Sequence, residues 1–79
     1  MDILRALKTA KSNVENDILD EAADARKYRN QADEARSSGL SGTYRFFSTL
    51  ESEERGHYQR LQVKLREIND NISRTEKSL

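Results

Sequence analysis

"SSGLSG", residues 37–42, is the one clear interruption in a chain that otherwise has the composition of helices. Gly39 can adopt the left-handed conformation that follows a helix end, and Leu40 can make the hydrophobic contact that accompanies it. Ser41 is expected to cap a second helix, although Tyr44 stands where the Glu of a capping box would be. The stretch therefore predicts a turn over residues 38–41.

The sequence on either side of this turn favours long helices. There is no proline, there are three glycines, and charged residues make up 35% of the chain. Such a composition is typical of long helices. We therefore predict a single all-α domain over residues 1–79, an antiparallel hairpin with helices at about 3–37 and 42–76.

The size of the chain limits its core. A fold of 79 residues buries only about 60% of the surface that its unfolded chain exposes. The absence of cysteine excludes disulfides and is consistent with a reducing cytoplasm. The remaining means of stabilisation are a metal, a partner chain, or both.

Charge and hydropathy narrow the choice of partners. Fourteen basic and fourteen acidic residues cancel, and neither sign forms a block, so nucleic acid is not an expected partner. No apolar run approaches the roughly 20 residues of a membrane span, and "MDILRALK" lacks the features of a signal peptide. We expect no membrane partner and a cytoplasmic protein.

Apolar residues recur in steps of three and four in both predicted helices, the spacing of one buried seam on each. In the first helix these residues are Val14, Ile18, Ala25, Tyr28, Ala32 and Ala35. In the second they are Phe47, Leu50, Leu61, Leu65, Ile68 and Ile72. The seams are continuous except at mid-length.

Three polar residues fill the gaps in these seams. Glu21 occupies the gap in the first helix, and Glu54 with His57 occupies the gap in the second. A hairpin that reverses near residues 39 and 40 puts Glu21 at about the level of His57. The sequence therefore predicts one polar layer about 27 Å from the turn, at 1.5 Å per residue.

Two helices cannot cover both of their own seams, and pairing with a second copy in a four-helix bundle solves this. A twofold axis through the polar layer gathers four glutamates and two histidines, and two divalent cations balance the four negative charges. Carboxylate oxygens with one imidazole per metal suit iron or manganese, with zinc as a possible substitute. The predicted ligands are Glu21, Glu54 and His57 of each chain.

The stretch from residue 21 to about 61 resembles the first half of a rubrerythrin, within the ferritin-like family. Rubrerythrins place a Glu, a Tyr seven residues later, a turn with Gly, a Phe, and then Glu-x-x-His. The corresponding positions here are Glu21, Tyr28, Gly39, Phe47, Glu54 and His57. The resemblance covers roughly half of the chain.

This resemblance implies a di-iron site with two iron ions per dimer. Glu21 would be a terminal ligand, Glu54 would bridge the metals and His57 would bind one of them, so that these three also act in catalysis. Tyr28 would hold a ligating carboxylate from outside the ligand set. The implied activity is oxidation of Fe(II) with O2 or H2O2, as in a peroxidase or ferroxidase.

The chain also departs from the family. It supplies two helices rather than four, so the other half of the site must come from another copy. It lacks the cysteines of the rubredoxin-like iron centre, so turnover would need an external electron donor. The description that fits is a half-ferritin.

Other interpretations remain open at this point. Glu-x-x-His alone is weak evidence, and a lone seam His is more often a hydrogen-bonded core residue than a ligand. The whole layer could serve only to fix the register of a non-enzymatic structural or adaptor dimer. Iron storage, as in the two-helix encapsulated ferritins, is a further alternative. Glu51 and Glu53 are expected on solvated faces, and Asp17 and Asp24 flank Glu21 at helical spacing.

Overall fold

The computed structural model describes residues 2–79, and over that range it consists of two antiparallel helices. Helix α1 spans Ile3–Ser37 and helix α2 spans Ser41–Lys77. The all-helical hairpin predicted from the sequence is confirmed. The second helix begins one residue earlier than expected, and the connection shortens to residues 38–40.

The turn has the hydrogen bonds of a Schellman motif. Gly39 has a φ of +75°, and its N–H donates to the carbonyl of Arg36 at 3.1 Å. The N–H of Leu40 donates to the carbonyl of Ala35 at 2.9 Å. These bonds satisfy carbonyls that a helix end would otherwise leave free, and they reverse the chain within three residues.

The two helices begin differently. Asp2 caps α1, because its Oδ1 accepts from the backbone N–H of Leu4 at 3.0 Å and of Arg5 at 3.4 Å. The expectation that Ser41 caps α2 is wrong: Ser41 is the first helical residue, and the capping position belongs to Leu40. An aliphatic side chain cannot accept a hydrogen bond, so α2 depends on the turn and on packing for its start.

The hairpin is a rod of 61 × 15 × 14 Å, and its buried core is thin. Among the described residues, the buried ones are Ala32, Ala35, Ile68 and Ile72. The other seam residues are half-buried, since each helix is covered on one side only. A second layer of structure is needed to remove the rest of the seam from water.

Aromatic contacts join the helices between the turn and the middle of the rod. The rings of Tyr28 on α1 and Phe47 on α2 stack at 6.4 Å with an interplanar angle of 20°. Phe46 packs edge-on against Phe47 at 5.3 Å. Within residues 2–79, neither helix has an apolar stretch long enough to cross a lipid bilayer.

Candidate metal centre

Glu21, Glu54 and His57 come together halfway along the rod. The Nδ1 atom of His57 lies 3.6 Å from Oε2 of Glu21 and 3.8 Å from Oε1 of Glu54. One nitrogen and two carboxylate oxygens, one from each residue, all lie within 4.8 Å of one another. Glu54 and His57 share a face because they are three residues apart on α2, and the tight turn brings Glu21 of α1 to the same level.

The three side chains differ in burial. The Glu54 side chain is 19% exposed and that of Glu21 25%, whereas that of His57 is 47% exposed. The periodicity predicted that His57 lies in the centre of the seam. In the structure it lies at an open edge of the seam instead. The hairpin alone leaves the imidazole accessible to solvent.

One oxygen of the group has no hydrogen-bond donor. Oε2 of Glu21 is buried and accepts no hydrogen bond within residues 2–79, because His57 Nδ1 at 3.6 Å is beyond hydrogen-bond distance. A buried carboxylate oxygen without a donor is costly. A cation among the three ligand atoms would compensate it.

The donor set fits a divalent transition metal. Two carboxylates and one imidazole suit iron and manganese, and zinc accepts the same ligand types at about 2.0–2.2 Å. Three ligands from one chain would leave further coordination positions for water or for ligands from another chain. The residues present thus match the group that the ferritin-like resemblance implies.

The open side of the site is a shallow cleft of about 290 Å³. Its lining consists of Asp17, Glu21, His57, Arg60 and Leu61. Asp17 lies about one helical turn before Glu21, and Arg60 lies about one turn after His57. Arg60 was not among the residues predicted from the sequence, although its position three residues after His57 could have indicated it.

Tyr28 is not brought to the three-residue group. Seven residues separate it from Glu21 along α1, a rise of about 10 Å. Its ring stacks on Phe47, and over residues 2–79 no hydrogen bond joins its hydroxyl to Glu21 or Glu54. Within one chain, Tyr28 acts in packing.

Glu51 differs from its predicted environment. Its side chain is 19% exposed and accepts from Nη2 of Arg55 at 3.1 Å. The expectation of a solvated Glu51 is therefore wrong, and the Arg four residues later was the available signal. Glu53, by contrast, is exposed as expected.

No family model matches the sequence, and no curated protein and no solved structure is significantly similar to it. The ferritin-like resemblance therefore stays a prediction from the sequence motif.

Proposed function

We propose that two copies of the chain form a ferritin-like four-helix bundle with a dinuclear metal centre, and that this centre oxidises Fe(II) with O2 or H2O2. The observation that carries the proposal is the cluster of Glu21, Glu54 and His57, with a buried Glu21 oxygen that has no donor. Each chain contributes two carboxylates and one imidazole. Two chains thus contribute four carboxylates and two imidazoles.

Charge balance supports two metals per dimer. The two carboxylates of one chain carry two negative charges, so a dimer carries four in one layer. Mutual repulsion among these four charges makes an empty layer unfavourable. Two divalent cations cancel the four charges.

Incomplete burial supports the partner chain. The cleft beside His57 is open, and seam residues on both helices stay half-buried in a single hairpin. A second hairpin placed over the cleft covers these residues and encloses the three ligands. Enclosure also strengthens metal–carboxylate attraction, because water is excluded from the site.

The protein's proposed role is to hold the two metal ions at a fixed distance from each other and to give the oxidant access to them. Iron held by Glu21, Glu54 and His57 would supply the electrons for reduction of O2 or H2O2, one from each ferrous ion. Glu21 and Glu54 would hold the cations, while the cleft next to His57 would admit the oxidant. An external donor must return the electrons for a second turnover.

The test of this function is Fe(II) oxidation by the purified full-length protein. After anaerobic loading with Fe(II), addition of H2O2 should give rapid growth of ferric absorption in the ultraviolet, and Glu54→Ala should abolish the rapid phase. Glu76→Ala is the matched control, since Glu76 is an exposed Glu of the same helix that forms no ion pair within the described residues. Equal rates in the two variants would contradict the proposal.

A non-enzymatic helical dimer is the second candidate, and the position of His57 favours it. A protonated His57 lies close enough to Glu21 and Glu54 for ion pairing without any metal. In that case the layer fixes the register of the dimer, as buried polar groups do in coiled coils. A chelator separates the two candidates, because only a metal-dependent dimer loses stability when its metal is removed.

A further inference from the structure

Glu53 and Arg60 are an oppositely charged pair of residues on α2, beside the candidate metal centre. They are seven residues apart, which is about two helical turns or 10 Å, so both lie on one stripe of the helix. His57 lies between them on the same side, and Arg60 lines the cleft together with His57. Along α2, the two charged residues therefore lie on either side of Glu54 and His57.

Neither charge has a partner among the described residues of its own chain. Both residues are exposed, and over residues 2–79 neither enters an ion pair or a side-chain hydrogen bond. The neighbouring Glu51 and Arg55 do pair, at 3.1 Å. Glu53 and Arg60 are too far apart along the helix to satisfy each other, so both charges are free for another molecule.

An exposed aromatic residue continues the same stripe toward the turn. Phe46 is seven residues before Glu53 and is 60% exposed. A large apolar side chain in line with complementary charges is typical of a protein–protein contact. The stripe Phe46–Glu53–Arg60 thus combines an apolar anchor with charges of both signs.

We propose that this stripe is the contact between the α2 helices of two copies, in which Glu53 of each chain pairs with Arg60 of the other. The inference rests on the proposed function, because the shared metal layer sets the position of the twofold axis. The midpoint of Glu53 and Arg60 lies within one residue, about 1.5 Å, of the midpoint of Glu54 and His57. An axis through the metal layer therefore brings each Glu53 opposite an Arg60 when the two α2 helices are antiparallel.

Helix α1 carries a similar pair. Asp20 and Lys27 are also seven residues apart, exposed and of opposite sign, with Glu21 between them. Lys27 Nζ lies 4.9 Å from the centroid of the Tyr28 ring and has no carboxylate partner within the described residues. With Glu21 level with His57, the midpoint of Asp20 and Lys27 lies about two residues, or roughly 3 Å, from the same twofold axis. Asp20 of one chain and Lys27 of the other then lie within about one helical turn of each other, which favours the same antiparallel pairing.

Charge reversal tests the pairing in the full-length protein. Glu53→Arg makes both stripe charges positive, and Arg60→Glu makes both negative. Each variant alone replaces two attractive contacts per dimer with two repulsive ones, and we expect the dimer Kd to rise by about tenfold or more at low salt. Salt of about 0.5 M should reduce this difference by screening.

An equimolar mixture of the two variants supplies the decisive result. One chain then offers two positive charges and the other two negative ones, so both contacts are complementary again. We expect dimers with one chain of each kind, measured by native mass spectrometry and sedimentation with Mn(II) present. Arg66→Glu is the matched control, because it makes the same charge change about 120° around the helix from Arg60.

Three results would overturn the inference. The first is that the single variants dimerise like the wild type, and the second is that mixing them restores no dimer. The third is that Asp17→Arg in the same chain rescues Arg60→Glu while mixing does not, since Arg60 would then act on Asp17 across its own cleft. Metal content of the wild type is measured in parallel: a wild-type dimer with metal limits the failure to the stripe, whereas a wild-type monomer without metal removes the proposed function too.

Discussion

At the scale of single residues, Glu21 is the most informative position. Its Oε2 is buried without a donor, while the nearest basic group, His57, lies 3.6 Å away. A carboxylate in that setting destabilises the metal-free fold, and under the proposed function it would be a ligand in the metal-bound one. Whether a Glu21 substitution lowers or raises the free energy of unfolding therefore depends on whether metal is present.

We expect Glu21→Gln to lose most of the stabilisation that metal gives to the wild type. At a hundredfold excess of Mn(II) over its Kd, that stabilisation is about 2.7 kcal/mol. Without metal, the variant should be as stable as the wild type or more so, because one repelling charge is gone. Thermal unfolding with and without Mn(II) measures both effects.

Glu15→Gln is the control for this experiment. Glu15 is an exposed residue of the same helix, and its substitution should leave the metal-dependent shift in Tm unchanged. If Glu21→Gln kept the full shift, the ligand role of Glu21 would be ruled out.

Substitutions of Tyr28 distinguish a role in packing from a role in supporting the candidate metal site. Because its ring stacks on Phe47, we expect Tyr28→Ala to lower the free energy of unfolding by about 2 kcal/mol. Tyr28→Phe keeps the ring and should change stability by less than about 0.5 kcal/mol. Urea denaturation measures both values, and a large loss of bound metal in Tyr28→Phe would instead show that the hydroxyl supports the site in the dimer.

At the scale of elements, the three-residue turn fixes which side chains of α1 and α2 meet. Gly39 has the positive φ that the Schellman motif requires, and the register that follows places Glu21 against His57. A longer or differently wound turn would move α1 along α2 and separate the two. The geometry of the site thus depends on a residue about 27 Å away, by helical rise.

Glycine substitutions test this dependence. Gly39→Ala should destabilise the hairpin by about 1 kcal/mol, because a side chain disfavours the left-handed conformation. Gly42→Ala should stabilise it by up to about 1 kcal/mol, since Gly42 is helical and an added Cβ meets nothing within 4 Å. Unfolding temperatures of the two variants, measured side by side, should move in opposite directions, and a shift of the same sign in both would be inconsistent with this account of the turn.

The elements were largely predictable because they depend on local chemistry. The seams follow from spacing, and the turn follows from Gly39 and Leu40. The start of α2 was mispredicted by one residue. The backbone N–H groups of Gly39 and Leu40 make the hydrogen bonds of the Schellman motif, and the helix then begins at Ser41. No sequence rule weighs that motif against a serine cap.

The proximity of the three candidate ligands was predictable from the sequence, whereas their environment was not. The interrupted seams identified Glu21, Glu54 and His57, whereas the 47% exposure of the His57 side chain depends on how far α2 rotates about its axis. The same rotation, together with Arg55, partly covers Glu51 and leaves Glu53 exposed. Periodicity fixes which residues share a face of a helix, but the contact between the helices decides which edge of that face is exposed to solvent.

At the scale of the whole molecule, the single hairpin buries few of its residues. Four buried residues among those described are a small core for a rod 61 Å long. If the chain dimerises, its free energy of unfolding should rise with protein concentration, because a second chain binds only to the native state. This dependence is common to the metal-centred dimer and to the structural one, so it does not distinguish them.

The most direct test of the shared metal layer is to measure molar mass and metal content on one and the same chromatographic peak of the full-length protein, by light scattering and elemental analysis. We predict twice the chain mass of 9.1 kDa and about one iron or manganese ion per chain, with both lost together in His57→Ala. A folded species of one chain mass that carries no metal after exposure to Fe(II) or Mn(II) would contradict the account.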